Sequence, residues 1–255
     1  MKDLFSLQGR VALVTGGSRG IGRMIATGLL SHGARVYISS RKAQACDQTA
    51  SELSALGPCF SLPADVSTVE GARGLAAALA AREPALDILV NNAGAAWGED
   101  FDTFPEKGWD KVMDLNLKSP FFLTQALHPQ LQAAAKARPA KVINVASIDG
   151  VSVNPQETYS YAASKAGLIH LIKRMSLRLV QDNIVVSGIA PGAFASDMNR
   201  IARDQAEETA RRIPAGRIGI AEDMAGVAIY LASRAGDYVV GQTIVVDGGV
   251  TLARG

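Results

Sequence analysis

The chain has 255 residues, of which 48% are hydrophobic and 20% are charged. These values predict an ordinary globular protein of one or two domains and exclude intrinsic disorder. The chain has 26 Lys and Arg residues and 24 Asp and Glu residues, so its net charge is +2. A charge this small gives no electrostatic reason to expect nucleic acid or a membrane surface as a partner.

Two further classes of protein are disfavoured. Cys46 and Cys59 are too few for a disulfide framework or a zinc site made of cysteines, so we expect free thiols and no metal. The N-terminal residues lack the apolar core of a signal peptide, and no apolar run reaches the roughly 20 residues of a membrane span. We therefore expect a cytoplasmic protein.

Short apolar runs alternate with helical patterns along the whole chain. Seven runs rich in β-branched residues and bounded by Gly, Pro, Asn or Asp are predicted to be strands buried on both faces. The predicted strands are Val11–Thr15, Arg35–Ser39, Phe60–Ala64, Asp87–Asn91, Lys141–Ala146, Ile184–Ile189 and Thr243–Val246. Apolar residues at three- and four-residue spacing predict helices between them. The predicted helices are Ile21–Ser31, Ala43–Leu56, Val69–Ala81, Trp109–Ala135, Tyr159–Val180 and Ala221–Ala232.

This alternation predicts an α/β fold, a Rossmann-type doubly wound seven-stranded parallel sheet with helices on both faces. In such a sheet the ligand crevice lies at the carboxyl ends of the strands. No linker divides the sequence, so we expect a single domain over residues 1–255. The polar segment 194–219 follows the sixth strand, and we expect a lid there, with Phe194, Ala195 and Met198 as an apolar wall for the substrate.

A glycine-rich turn connects the first predicted strand to the first predicted helix. Gly16, Gly20 and Gly22 follow that strand with G-x-x-x-G-x-G spacing. Glycine permits a tight turn and the close approach of a phosphate, and a helix N-terminus offers unpaired N–H groups and a partial positive charge. This strand–turn–helix context indicates a dinucleotide site.

Thr15–Gly22 resembles the TGxxxGIG motif of the classical short-chain dehydrogenases/reductases. Other motifs of that family follow in order along nearly the whole chain. They are an NNAG motif at Asn91–Gly94, Asn116, Ser147, a YxxxK motif at Tyr161–Lys165, Pro191-Gly192 and Asp247-Gly248-Gly249. The resemblance implies a bound nicotinamide dinucleotide. The cofactor-binding residues that it implies are Gly16, Ser18, Arg19, Gly20, Ile21, Gly22, Asp65, Val66, Asn92, Ala93, Gly94, Tyr161, Lys165, Pro191, Gly192 and Ser196.

The end of the second predicted strand indicates which nicotinamide cofactor is bound. An NAD enzyme usually has an acid there that accepts a hydrogen bond from the ribose 2′-hydroxyl, but Ser40 occupies this position. Arg41 comes next and Arg19 lies in the phosphate loop, and two guanidinium groups can clamp a 2′-phosphate. We therefore expect NADP(H), with Ser40 and Arg41 at its adenosine end.

The predicted catalytic residues are Asn116, Ser147, Tyr161 and Lys165. Tyr161 and Lys165 are four residues apart on one predicted helix and therefore share a face. A phenol with a pKa of about 10 exchanges protons poorly at neutral pH, and we expect the nearby Lys165 cation to lower that pKa. The resemblance implies that Tyr161 is the acid or base, that Ser147 polarises the substrate carbonyl, and that Asn116 holds a water near Lys165.

The resemblance implies an NADPH-dependent ketoreductase similar to the 3-oxoacyl-(acyl carrier protein) reductases. The substrate would be a small carbonyl compound, carried on coenzyme A or on an acyl carrier protein, and the enzyme a homotetramer built on paired long helices. One alternative is the same chemistry on a sugar, polyol, steroid or other small ketone. Another is a cofactor-binding regulator without catalysis, although such a protein should lack part of the catalytic set, which is complete here.

Overall fold

The structure is a computed structural model that describes residues 3–195 and 204–253. Within these residues seven strands form one sheet in the order β3-β2-β1-β4-β5-β6-β7, and every pairing is parallel. The strands are β1 Val11–Thr15, β2 Arg35–Ser39, β3 Cys59–Ser61, β4 Ile88–Asn91, β5 Ala140–Val145, β6 Ile184–Pro191 and β7 Thr243–Val246. The predicted fold class is confirmed, and the carboxyl ends of β1, β4 and β5 lie side by side.

Helices cover both faces of this sheet. They are α1 Gly20–Ser31, α2 Ala43–Leu53, α3 Val69–Ala80, α4 Glu106–Met113, α5 Ser119–Ala126, α6 His128–Ala135, α7 Tyr159–Leu179, α8 Ala206–Ala210, α9 Ala221–Ala232 and α10 Val250–Ala253. Because side chains alternate along a strand, β1 contributes to two cores. Ala12 and Val14 pack with α1, α2 and α9, whereas Leu13 packs with α3, α5, α6 and α7.

The prediction of one helix over residues 109–135 is wrong. Helix α4 ends at Met113, a π-helical turn spans Asp114–Lys118, and α5 and α6 follow as separate helices. Pro120 and Pro129 lie in the first turns of α5 and α6 and have no N–H to donate to the carbonyl four residues earlier. The break matters for function because the π turn carries Asn116 into the interior.

The third strand differs in its bounds from the predicted Phe60–Ala64. It spans Cys59–Ser61, and backbone hydrogen bonds continue towards β2 from Leu62 and Ala64. Pro63 lies between these two donors with its nitrogen on the open edge of the sheet, where the missing N–H removes no hydrogen bond to β2. This strand pairs with β2 and forms one edge of the sheet.

Over the two described ranges, no helix combines the length and the apolar character needed to cross a membrane. The same residues contain no cluster of three or more His, Cys, Asp or Glu side chains that could hold a metal ion. Cys46 and Cys59 are both free and buried. Burial and the neighbouring Cys46 raise the pKa of the Cys59 thiol to about 11, so this thiol is unreactive at neutral pH.

Candidate active site

The NNAG segment after β4 is fastened by hydrogen bonds to the phosphate loop after β1. The Thr15 hydroxyl donates to the carbonyl of Val90 (3.2 Å) and accepts from the N–H groups of Asn92 (3.0 Å) and Ala93 (3.1 Å). The Asn92 amide in turn donates to the carbonyl of Thr15 (2.8 Å). These bonds fix the carboxyl ends of two adjacent strands against each other, at the edge of the sheet where ligands bind.

Glycines shape a backbone cradle at the start of α1. Gly16 and Gly20 have positive φ angles of 65° and 51°, which L side chains rarely adopt. A Cβ on Gly16 would lie 2.7 Å from Nδ2 of Asn92, and a Cβ on Gly22 would overlap the carbonyl of Gly16. No side chain caps the first turn of α1. The cradle therefore fits the pyrophosphate of a dinucleotide, whose oxygens would accept from these N–H groups.

The other residues of the phosphate loop take three different positions. The Thr49 hydroxyl of α2 donates to the carbonyl of Ser18 (3.0 Å) and anchors the loop. Arg19 is exposed at the N-cap of α1, and Ile21 packs on the core. The phosphate loop is thus anchored to α2, and the guanidinium of Arg19 lies at the surface beside the cradle.

Residues at the ends of β2 and β3 form the predicted adenosine end of the site. Position 40 is a serine and not an acidic residue, and Arg41 is exposed beside Asp65. Burial acts to raise the pKa of Asp65, but two hydrogen bonds from Ser67 (2.7 and 3.0 Å) and the charge of Arg41 outweigh it and lower the pKa. Val66 is buried next to them. This arrangement accommodates a 2′-phosphate near Arg41 without a repelling carboxylate at position 40.

Ser147 and Tyr161 meet at the carboxyl end of β5. Ser147 caps a short 3₁₀ turn, Ile148–Gly150, where its hydroxyl accepts from the N–H of Asp149 (3.1 Å). The side chains of Ser147 and Tyr161 are hydrogen-bonded to each other. The two hydroxyls therefore converge on one point, where a carbonyl oxygen could accept from both.

Lys165 lies one turn further along α7 and is almost completely buried. Its ammonium donates to the carbonyl of Val145 (2.8 Å) and lies 5.7 Å from the centroid of the Tyr161 ring. Burial lowers the pKa of Lys165 to about 8. The amine thus faces the sheet edge, where cofactor ribose hydroxyls would reach it.

The expectation that Lys165 lowers the pKa of Tyr161 is wrong for this structure. Burial is the largest influence and raises the pKa of Tyr161 to about 12, the charge of Asp149 adds to this, and the hydrogen bond with Ser147 opposes it. Lys165 does not contribute because burial lowers its own pKa to about 8, so its amine is already neutral when the phenol of Tyr161 ionises. Tyr161 is therefore protonated at neutral pH in this structure, which is the state that a proton donor in a reduction requires.

Asn116 joins three parts of the site. Its side-chain oxygen accepts from the N–H of Ala95 (2.8 Å), and its amide donates to the carbonyl of Ala95 (2.9 Å) and to the hydroxyl of Ser164 (3.0 Å). A Cβ on Gly94 would lie 3.2 Å from that oxygen and 3.8 Å from the Lys165 ammonium. The side chain of Asn116 is a clamp between the loop after β4 and α7, a role that sequence reasoning did not predict.

Pro191 and Gly192 end β6 beside the last strand. The N–H of Gly192 donates to the carbonyl of Val246 (2.9 Å), and a Cβ on Gly192 would lie 2.7 Å from Cβ of Asp247. Only glycine fits at this close approach. The predicted pair therefore lies at the same carboxyl edge as the phosphate loop and the NNAG segment.

The predicted apolar wall is wrong at its first residue. Phe194 is 2% exposed and belongs to the core, because its ring packs on Gly219, with which it forms an isolated parallel bridge. A side chain at Gly219 would overlap that ring. The contact between Phe194 and Gly219 thus holds the two ends of segment 194–219 together. Ser196 and Met198 lie outside the described residues.

Gly150 is a functional position that sequence reasoning missed. A Cβ there would lie 2.5 Å from the carbonyl carbon of Lys165 and 2.8 Å from the backbone nitrogen of Ala166. The turn that carries Ser147 is therefore in direct contact with the backbone of α7. A glycine three residues after Ser147 was the available signal, although glycine also marks ordinary loops.

Comparisons with known proteins agree with this geometry. A family model described as enoyl-(acyl carrier protein) reductase matches residues 16–251. The chain is 51% identical to a rhamnolipids biosynthesis 3-oxoacyl-[acyl-carrier-protein] reductase of Pseudomonas aeruginosa, over 99% of this chain and 100% of that protein. It is 40% identical to a 2-dehydro-3-deoxy-D-gluconate 5-dehydrogenase of Dickeya dadantii, over 99% of each.

Among solved structures, the Pseudomonas aeruginosa RhlG/NADP active-site complex is 49% identical and superposes with a TM-score of 0.95, covering 98% of this chain and all of that chain. A gluconate 5-dehydrogenase of Burkholderia cenocepacia, in complex with NADP and tartrate, is 35% identical with a TM-score of 0.90, over 98% of both chains.

The chain belongs to the short-chain dehydrogenase/reductase family. It is an NADP-dependent oxidoreductase that interconverts alcohol and ketone groups.

Removing Arg41 tests the adenosine end of the site. We expect Arg41→Ala to lower kcat/KM for NADPH by about 10- to 100-fold and to leave the value for NADH nearly unchanged, because only the 2′-phosphate loses a charged partner. Steady-state kinetics with both cofactors measure this, and Arg73→Ala, which removes an exposed arginine from α3, is the control. Equal losses for the two cofactors would contradict the assignment.

The lowered pKa of Lys165 predicts a pH dependence of folding stability. Between pH 8 and the usual lysine value of 10.5 the unfolded chain binds the Lys165 proton more tightly than the folded chain. The stability contributed by this residue therefore rises with pH in that window, by at most about 1.4 kcal/mol per pH unit. Above pH 10 the raised pKa of Tyr161 acts in the opposite direction, so denaturant unfolding is compared at pH 8 and 10. Lys165→Met should lack the part of the rise that Lys165 supplies, and an identical slope would contradict the burial argument.

Proposed function

We propose that the chain reduces a ketone to a secondary alcohol with NADPH, and that a 3-oxoacyl thioester is its substrate. The observation that carries the proposal is the convergence of the Ser147 and Tyr161 hydroxyls at the carboxyl end of β5. The 51% identity with the Pseudomonas aeruginosa 3-oxoacyl reductase supports the substrate class.

The residues of the site divide the reaction between them. NADPH supplies the hydride when it is bound in the cradle at the start of α1. Ser147 donates a hydrogen bond to the substrate carbonyl oxygen and polarises it. Tyr161 donates its phenolic proton to that oxygen as the alkoxide forms, and Lys165 holds the ribose and is the next proton donor towards Tyr161. Asn116 keeps the NNAG loop and α7 at a fixed separation while this occurs.

A second candidate is a small hydroxylated ketone, such as a keto sugar acid. The 40% identity with the Dickeya dadantii sugar-acid dehydrogenase favours it. The structure adds one observation, since the carboxylate of Asp149 lies close enough to Tyr161 to affect its pKa. A carboxylate beside the reacting carbonyl accepts hydrogen bonds from substrate hydroxyls, whereas the methylenes of an acyl chain offer none.

Parallel kinetics on two substrates separate the candidates. Acetoacetyl-CoA represents the acyl thioesters and 5-keto-D-gluconate the hydroxylated ketones, each with NADPH at equal concentration. A higher kcat/KM on the thioester supports the first proposal, and a higher value on the keto acid moves the substrate to the second class. Asp149→Ala should then reduce turnover of the keto acid more than that of the thioester.

A thioester on acyl carrier protein, compared with the coenzyme A thioester, tests whether a carrier contributes.

We also propose that residues 1–255 form one domain whose segment 194–219 closes over the substrate as a lid. The buried ring of Phe194 against Gly219 supports a fixed base for that segment. Proteolysis in the presence and absence of NADP⁺ tests this, with cleavage inside the segment suppressed by the cofactor. Cleavage that is insensitive to cofactor would contradict a lid.

We propose a homotetramer in which α5 and α7 pair across one two-fold axis. These two helices and the turn after α7 each expose an apolar side chain, with Phe121 at 38%, Leu177 at 67% and Val180 at 41%. We expect Leu177→Glu to convert tetramers to dimers, because a charge would be buried in the pairing, and light scattering measures the mass. Val153→Glu, in an exposed loop, is the control. An unchanged mass for Leu177→Glu would contradict this pairing.

A further inference from the structure

A cavity of about 370 Å³ lies at the amino-terminal edge of the sheet, opposite the candidate active site. It lies beside the segments that enter β1 and β5. Three arginines line it, Arg10, Arg138 and Arg234, together with two acids, Asp3 and Asp237. We call this space the basal cavity. Its size is within the range of small-molecule sites.

Two carboxylates beside the basal cavity, the buried Asp87 and the half-buried Asp237, already have partners. Asp87 accepts from the N–H of Val11 (2.9 Å) and pairs with Arg138 (3.1 Å). Asp237 pairs with Lys141 (2.7 Å), whose side chain is 1% exposed. These two acids therefore neutralise Arg138 and Lys141, and neither is within ion-pair distance of Arg10.

Arg10 is the unusual member of the cavity. It is 2% exposed, and its side chain makes one hydrogen bond in the described part of the chain, to the carbonyl of Pro139 (3.2 Å). Within that part no carboxylate lies within 4.0 Å of its guanidinium. Burial and the neighbouring Arg138 lower its pKa, yet arginine stays charged at any physiological pH. None of its nitrogens is both fully buried and without a partner, so the N–H donors that Pro139 does not use are accessible from the cavity, where an anion could accept from them.

The charges around the cavity leave an excess of cations. Four basic residues lie in or beside the cavity, and three acidic residues accompany them. The basic residues are Arg10, Arg138, Lys141 and Arg234, and the acidic residues are Asp3, Asp87 and Asp237, of which Asp3 is exposed at the rim. Once these two ion pairs are set aside, Asp3 is the one acid among the described lining residues left to balance Arg10 and Arg234. Guanidinium groups bind tetrahedral oxyanions through paired N–H donors. We propose that the basal cavity binds a small phosphate-bearing anion between Arg10 and Arg234.

Thermal unfolding with added anion tests this proposal, and the readout does not depend on turnover. The full chain is melted with saturating NADP⁺, so that the cofactor phosphates occupy the cradle at α1. Inorganic phosphate, glycerol 3-phosphate and succinate are each compared with chloride at equal ionic strength. We expect the two phosphates to raise Tm by about 2–4 °C in a saturable manner, because a ligand of the folded state stabilises it.

Three variants locate the effect. Arg234→Gln changes an exposed residue and should fold normally, and we expect it to lose the phosphate-dependent rise in Tm. Arg10→Gln should lose it as well, and if this buried variant does not fold, Arg234→Gln decides. Arg73→Gln removes the same charge from α3 and should keep the full rise. No rise in the unsubstituted chain, a full rise in Arg234→Gln, or a rise with succinate alone would overturn the proposal.

Discussion

Replacing Tyr161 with phenylalanine is expected to lower kcat for ketone reduction by about 10³-fold while leaving NADPH binding intact. The ring stays in place on α7, but the proton that the carbonyl oxygen must receive is gone. Ser147 can still polarise the carbonyl, so a small residual rate should persist. Stopped-flow measurement of NADPH oxidation, with cofactor affinity from fluorescence titration, gives the two quantities separately.

Tyr159→Phe is the matched control for this substitution. Tyr159 is on the same helix, but its hydroxyl donates to Glu157 (2.8 Å) and its ring contacts Phe101 and Phe104 at the surface. Its loss should change kcat less than about threefold, since surface substitutions cost little. If Tyr161→Phe retained more than about a tenth of the activity, Tyr161 could not be the proton donor.

Gly150→Ala is expected to lower kcat by about 10- to 100-fold although position 150 touches no reacting atom. The new Cβ would meet the backbone of Lys165 and Ala166 within 2.8 Å, so the turn that carries Ser147 must move away from α7. The Ser147 and Tyr161 hydroxyls would then no longer converge. Affinity for NADPH should fall less than kcat, because the turn makes no contact with the cradle at α1 and the strain can reach only the ribose end of the cofactor through Lys165. Parallel measurement of kcat and the Kd for NADPH separates these effects.

The same substitution at Gly74 is the control for Gly150→Ala. Gly74 is in the middle of α3, and a Cβ added there would have no atom within 4 Å, so alanine should leave kcat unchanged and stabilise the helix by about 0.5–1 kcal/mol. If Gly150→Ala retained full kcat, the contact between the turn and α7 would have no part in positioning Ser147. A loss of NADPH binding instead would point to a wider distortion.

The sequence was sufficient for the features that depend on local pattern. Buried β-branched runs and glycine turns predicted the parallel sheet, and in a parallel sheet the residues just after each strand meet at one edge. Asn92, Ser147 and Gly192 could therefore be placed together from the order of strands alone. The breaks in the predicted helix at Pro120 and Pro129 could also have been predicted from the sequence, because proline has no N–H for the helical hydrogen bond.

Other features depend on contacts between residues that are distant along the chain, and no local pattern shows them. Lys165 is buried against the carbonyl of Val145, 20 residues earlier, and burial lowers its pKa to about 8, so its expected effect on the pKa of Tyr161 is absent. Phe194 is buried because Gly219 leaves space for its ring. Gly150 matters only because the turn and α7 approach within van der Waals distance. Each depends on tertiary packing, which a helix or strand period cannot encode.

The most direct test of the proposed reaction follows the hydride. The chain is incubated with acetoacetyl-CoA and NADPH that carries deuterium at the transferable C4 position, and the product is analysed by mass spectrometry. We predict a 3-hydroxyacyl thioester that has gained one deuterium on the carbinol carbon, with Tyr161→Phe giving almost none. An unlabelled alcohol, or no product from acetoacetyl-CoA while another ketone acquires the label, would contradict the proposed reduction of a 3-oxoacyl thioester.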